Sequence, residues 1–288
     1  MANAVETPDP KTIAGPLPPD MALACEAAGA SKATRDAITL LVLGLLAGAF
    51  IAFGAMFMTI VLTGSGDLPW GVARLLAGLV FSLGLILVIV GGAELFTGDS
   101  LMIVACASQR ISLRALLRAW LLVYAGNVVG AVGTAALIFL AGEHEFAGGG
   151  VGKTALVIAT AKAVLPLPQL FVLAALCNVL VCLAVWMSFG ARSAADKVAV
   201  IVPPIAAFVA AGFEHSIANL YLLPYALLIK TAAAPVFWTT IEQDPSVYAA
   251  LTVSAALYNI AVATIGNLLG GSLMVGAVYW FVYLRRRA

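Results

Sequence analysis

Of the 288 residues, 63% are apolar and 10% charged, mean hydropathy is +1.07 and the formal net charge is +1. A soluble domain carries roughly 25% charged residues, so a water-soluble surface cannot be built from this composition. No basic block occurs, which excludes nucleic acid or heparin as a partner, since both are held by clustered cations.

Taken in chain order, the first stretch holds Glu6, Asp9 and Lys11 among prolines, with no basic segment leading into an apolar run, so no secretion signal is expected. Pro18 to Ala33 reads as a short surface helix, with Asp20 as N-cap and a weak apolar face of Met21, Leu23, Ala24, Ala27 and Ala28. Hydropathy then predicts six spans near 38–63, 72–107, 114–141, 163–189, 197–229 and 254–284. Each supplies the roughly 20 apolar residues that cross about 30 Å of hydrocarbon. The second and fifth are too long for one crossing, and charged residues interrupt them centrally, at 94–99 and at Glu214 and His215. The connection 141–160, with Glu143, His144, Glu145 and three successive glycines, reads as a solvated external loop with His144 in water.

Sorting the basic residues by connection puts Lys32, Arg35, Arg110, Arg114, Arg118, Arg192, Lys197, Arg285, Arg286 and Arg287 on one side, and Arg74, Lys153, Lys162 and Lys230 on the other. Ten against four fits an even span count with both termini cytoplasmic. The expected organisation is a tail at 1–37 carrying the surface helix, a six-span pore domain at 38–284 and a cytoplasmic tail at 285–288. Cys25, Cys106, Cys177 and Cys182 show no C-x-x-C spacing and only two histidines are present, so no metal and no cofactor are expected.

Internal repetition is the strongest organisational signal. The third span contains Gly126-Asn127-Val128-Val129-Gly130 and the sixth Gly266-Asn267-Leu268-Leu269-Gly270, both G-N-x-x-G. Each follows a charged interruption, Glu94 before Asn127 and Glu214 before Asn267. Three spans plus three have opposite starting sides, so the halves, about 38–141 and 163–284, are inverted repeats. Glycines such as Gly44, Gly48 and Gly54 suit close helix packing. Interrupted backbone at membrane depth is tolerated only where protein or a water-filled cavity surrounds it, so two breaks in corresponding positions point to a path where they meet.

Phe81-Ser-Leu-Gly-Leu-Ile-Leu, Gly92-Ala-Glu94-Leu-Phe-Thr97-Gly, Asn178 to Ser188, and Gly212-Phe-Glu214-His215-Ser-Ile-Ala-Asn219 resemble the signatures of the formate/nitrite transporters. The similarity runs from about Leu17 to Arg285. It implies an all-α membrane protein of six transmembrane helices, a 3+3 inverted repeat with two broken helices, aquaporin-like in its protomer, assembled as a homopentamer in the bacterial inner membrane. By resemblance His215 is the central pore histidine, Thr97 its hydrogen-bonding partner and Asn178 an assistant. Phe81, Leu85, Leu95, Phe96 and Phe208 match apolar constrictions, and Lys162 a basic residue of the external vestibule. Glu214 is read as orienting the loop, with Glu94 as its counterpart.

Burial of an ionisable residue at membrane depth independently singles out His215. A dehydrated carboxylate faces a cost of several kcal/mol after relaxation, while protonating an acid of pKa roughly 4 at pH 7 costs about 4 kcal/mol. The resemblance thus implies a channel or transporter for small monovalent anions, formate first and nitrite or hydrosulfide as alternatives, and this comparison of costs adds the expectation of protonation near His215. An aquaporin would carry paired Asn-Pro-Ala segments, and an intramembrane hydrolase a nucleophile elbow or zinc ligands; neither is present, so no enzyme is expected.

Overall fold

The structure is a computed structural model that describes residues 15–287. The tail before residue 15, including Glu6, Asp9 and Lys11, lies outside the described residues. Helix α1 is Pro18–Ala33, followed by α2 (Ala37–Leu62) and α3 (Trp70–Gly91). After a non-helical turn comes α4 (Phe96–Ala107), tightened to 3₁₀ geometry over Ser100–Met102, then α5 (Leu113–Leu140). The second half runs α6 (Gly150–Ala163), α7 (Leu167–Ser188), α8 (Ala194–Ala211), a second non-helical turn and α9 (Ser216–Ala232). Short α10 (Pro235–Thr240) precedes α11 (Val253–Leu269), which continues through a π-helical stretch, Gly270–Ala277, into α12 (Val278–Tyr283). Six helical segments are long and apolar enough to cross a membrane, and no strand occurs among the described residues.

Local chemistry sets most of the starts. Asp36, Ser112 and Thr252 each accept a backbone N–H three residues on, and Ser193 with Asp196 forms a reciprocal capping box. The fourth span begins at Leu167, later than hydropathy suggests, because Pro166 and Pro168 admit a helix only from its first turn.

The halves pack by the same device. In the first, a Cβ on Gly126 or Gly130 would strike the carbonyls of Leu41 or Leu45 on α2; in the second, one on Gly266 or Gly270 would strike those of Phe171 or Ala175 on α7. The G-N-x-x-G repeat is thus a backbone-to-backbone contact made twice. With three spans between equivalents, the second copy runs in the opposite sense.

Two expectations are corrected. Helix α1 is capped at Leu17 with no side-chain acceptor, because Pro18 and Pro19 remove two of the N–H groups a cap would serve; Asp20 sits inside the first turn. Its buried face is Met21, Ala22, Cys25 and Gly29, seated on α4 so closely that a Cβ on Gly29 would lie 3.1 Å from that of Ala105. The external connection is ordered. His144 is 5% exposed, its ring stacked on Phe139 at 4.8 Å and edge-on to Phe237 at 5.5 Å, and α6 buries Val151, Ala155, Leu156 and Ala159. The aromatic cluster shelters the imidazole; burial lowers the His144 pKa.

Candidate functional site

The two breaks are built alike. Gly92 (φ 81°) and Gly212 (φ 75°) end α3 and α8 in the left-handed conformation, which glycine adopts without steric cost. The chain then turns back, and the N–H of Glu94 donates to Leu43 O at 3.2 Å while that of Glu214 donates to Leu173 O at 3.4 Å. An asparagine locks each turn. Asn127 Oδ1 accepts the Phe96 N–H at 2.9 Å, and its Nδ2 donates to Gly44 O and Glu94 O. Asn267 Oδ1 accepts the Ser216 N–H at 2.8 Å, and its Nδ2 donates to Ala174 O and Glu214 O. These bonds satisfy backbone groups that lipid cannot, so the starts of α4 and α9 are fixed facing one another.

Where they meet, Thr97 Oγ1 and His215 Nε2 are 3.0 Å apart, both residues buried. His215 Nδ1 also accepts the Ala218 N–H at 3.1 Å and so is itself the N-cap of α9. An accepting Nδ1 places the proton of a neutral imidazole on Nε2, which therefore donates to Thr97 Oγ1 and leaves the threonine hydroxyl proton free to point elsewhere. Carrying a second ring proton would require Nδ1 to release Ala218. Thr97 is held in turn through its carbonyl, which accepts from Asn178 Nδ2 at 3.1 Å and Ser100 Oγ at 2.7 Å. Thr97 and Asn178 line neither of the cavities flanking this pair: Thr97 lies between them, with His215 on the wall of one and Leu95 and Gly98 on the wall of the other, and Asn178 holds Thr97 through its carbonyl.

A cavity of about 430 Å³ on the face away from α1 is lined by His215, Phe81, Phe208, Lys162, Glu214 and Arg74, among others. A second, of about 250 Å³ on the α1 face, is lined by Leu85, Leu95, Lys32, Arg35, Glu94 and Asp99, among others. Phe208 stacks over His215 at 5.9 Å and meets Phe81 edge-on at 5.4 Å. The ring of Phe96, expected at a constriction, lines neither cavity; it packs edge-on against Tyr124 at 4.9 Å and Trp120 at 6.4 Å.

Each cavity holds a buried acid with cations against it. Lys162 Nζ donates to Glu214 Oε1 at 2.7 Å, and Asn219 Nδ2 to Glu214 Oε2 at 2.7 Å. On the other face Glu94 pairs with Arg35 and, at 2.6 Å, with Lys32, which also reaches Asp99 Oδ1 at 2.5 Å. Burial pulls the Lys32 pKa down, but Asp99 and Glu94 outweigh it and hold the ammonium above the ordinary lysine range.

Sequence reading singles out His215, Thr97, Asn178, Glu214 and Lys162, but misses Lys32, Arg35 and Asn219 as partners of the two acids, Asp99 as a second acid on Lys32, and Asn259 as the residue that bonds Asn219. Asn219 and Asp99 each lie five residues after the acid of their own half, a repeat signal visible in hindsight.

Residues 19–281 match the sequence profile of the formate/nitrite transporters. A protein named formate channel FocA from Escherichia coli (strain K12) is 44% identical over 270 residues, covering 93% of this chain and 95% of the relative. The formate channel FocA of Haemophilus influenzae is 39% identical over 246 residues, 85% of this chain and 87% of the relative. Among solved structures, one described as a pentameric formate channel with formate bound superposes with a TM-score of 0.82 at 42% identity, over 86% of this chain and 98% of the other. An FNT family ion channel superposes at 0.77 and 28% identity, over 91% and 98%.

Proposed function

The chain belongs to the formate/nitrite transporter family and is a multi-pass membrane protein, and from that premise we propose that it conducts formate through a pore in each protomer of a homopentamer, exchanging a proton beside His215. The observation that carries this reading is the His215–Thr97 pair at 3.0 Å, walled by Phe81 and Phe208, with a cation-bearing cavity on either side. On this reading it is a transporter that delivers its substrate chemically unchanged. It sits in the bacterial inner membrane with α1 and the C-terminus in the cytoplasm, in keeping with the ten basic residues on that side against four on the other.

Passage divides into three steps. Lys162 on one side and Lys32 with Arg35 on the other gather the anion, whose entry into low dielectric would otherwise cost several kcal/mol. Between the phenylalanines that cost becomes prohibitive, and the neutral acid is the cheaper species by the comparison above. His215, fixed as the Nε2–H tautomer, polarises the Thr97 hydroxyl, which hydrogen-bonds the carboxylate oxygen. Water in the entry cavity supplies the proton, and its hydroxide is neutralised by bulk buffer on the entry side. Beyond the narrow stretch the neutral acid returns a proton to water of the other cavity and leaves as formate. Leu85, Leu95 and Phe208 exclude that water from the narrowest stretch, and Asn178 keeps Thr97 in place. A role for Phe96 is confined to shaping the start of α4.

Reconstituted in liposomes, the protein should raise formate flux more than nitrite or hydrosulfide flux, and more at pH 5 than at pH 7.5. Faster nitrite than formate flux at both values would transfer the assignment to nitrite, and no flux of any of the three would end it.

A further inference from the structure

Glu214, Asn219, Asn259 and Lys162 form a closed ring. Lys162 Nζ donates to one oxygen of Glu214 at 2.7 Å, and Asn219 Nδ2 donates to the other at 2.7 Å. The second hydrogen on Asn219 Nδ2 goes to Asn259 Oδ1 at 2.7 Å, and Asn259 Nδ2 returns to the backbone carbonyl of Lys162 at 3.0 Å. Three separate elements, α6, α9 and α11, are tied together. Asn259 is 1% exposed and does not reach the wall of the 430 Å³ cavity. At the equivalent position in the first half, eight residues before the asparagine of the G-N-x-x-G motif, stands Ala119. The packing of the repeat therefore does not call for a polar group there.

We infer that Asn259 is a positioning residue for anion entry, an assignment that rests on the channel reading above. With both amide hydrogens of Asn219 committed, the side chain cannot rotate, and Glu214 Oε2 stays occupied. Lys162 is then limited to one carboxylate oxygen and keeps part of its ammonium toward the cavity, with 14% of its side chain exposed against 3% for Glu214. A freed Glu214 would present both oxygens to Lys162 and cancel more of the field that draws an anion in. Removing Asn259 thus weakens capture of the anion while leaving the His215–Thr97 step alone.

The test is initial formate uptake into proteoliposomes at pH 7.5 over a range of formate and salt concentrations, normalised to incorporated pentamer. Asn259→Leu removes both hydrogen bonds at similar volume, and Asn259→Asp keeps the acceptor for Asn219 while adding a negative charge. Both should raise KM, about five-fold for the leucine variant, the factor corresponding to one net hydrogen bond, and more for the aspartate. Vmax should stay within about two-fold, and the salt dependence of uptake should flatten. In a Lys162→Met background Asn259→Leu should add nothing. Unchanged KM in a properly assembled Asn259→Leu protein, a fall in Vmax alone, or full additivity with Lys162→Met would each overturn the assignment. If Asn259→Leu fails to assemble, Asn259→Ala, which deletes the same two hydrogen bonds without adding charge or bulk, decides by the same criteria. Absence of formate uptake by the unsubstituted protein would count against the channel reading instead.

Discussion

The two breaks share a backbone frame and differ in what hangs on it. In the first half the residue after the acid is Leu95, which caps nothing; in the second it is His215, which caps α9 and reaches Thr97 across the interface. The acids differ too. Glu214 is held inside its own half, by Lys162 and Asn219, whereas Glu94 depends on Lys32 and Arg35, contributed by α1 and the short connection after it. Glycine and asparagine specify the pore geometry, equally in both halves; the polar centre and the anchoring of the vestibule charge are placed once, asymmetrically. One half supplies the imidazole, the other the hydroxyl.

Breaking the shared frame should have the largest effect. Asn127→Ala and Asn267→Ala each delete three buried hydrogen bonds that hold a turn, at about 4 kcal/mol or more, with similar losses of thermal stability in detergent. A mild effect in one half would show that the frame is not equally needed. Next comes the unequal anchoring. Lys32→Met leaves Asp99 without its only ion-pair partner among the described residues and should cost about 3 kcal/mol, with faster hydrogen exchange across α1. Lys162→Met should cost less, since Asn219 still occupies one oxygen of Glu214. The imported residue follows. His215→Leu, which copies the first half onto the second, should cut formate flux roughly 100-fold, the weight of one preorganised hydrogen-bond donor beside a changing charge, while the lost cap costs only about 1 kcal/mol of stability.

The smallest effect lies outside the pore. Burial raises the Glu143 pKa, and a carboxyl with a raised folded-state value favours the fold below its unfolded pKa and loses that contribution as pH rises through the folded one. Glu143→Gln should therefore remove this alkaline-side loss and raise Tm at pH 7.5 by about 1–3 °C, with no change in flux; a lower Tm would mean the carboxylate has a partner.

Spans, breaks and the inverted duplication were legible because each leaves a local signature: hydropathy, a charge inside an apolar run, and a repeated Asn between glycines. What escaped were contacts fixed only by the packing of distant segments. Lys32 and Arg35 read as topology signals in a connection, and nothing local says that they reach Glu94 some sixty residues on. His144 beside glycines reads as solvated because polarity in a loop is the usual sign of water; its shelter comes from Phe237, almost a hundred residues later. Asn259 has no polar counterpart in the first half, so the repeat itself hid it. Phe96 shows the converse. Its place in a motif suggested a pore wall, but the backbone that puts Thr97 at the centre turns the neighbouring ring into the core.

The claim at the centre is that formate crosses the phenylalanine-walled segment uncharged. In proteoliposomes with the membrane potential clamped by potassium and valinomycin, inward formate flux above that of protein-free vesicles should acidify a dye-loaded lumen one proton per formate and should be indifferent to the sign of the potential. Protein-dependent formate uptake that follows the potential and leaves lumenal pH unchanged would contradict the account.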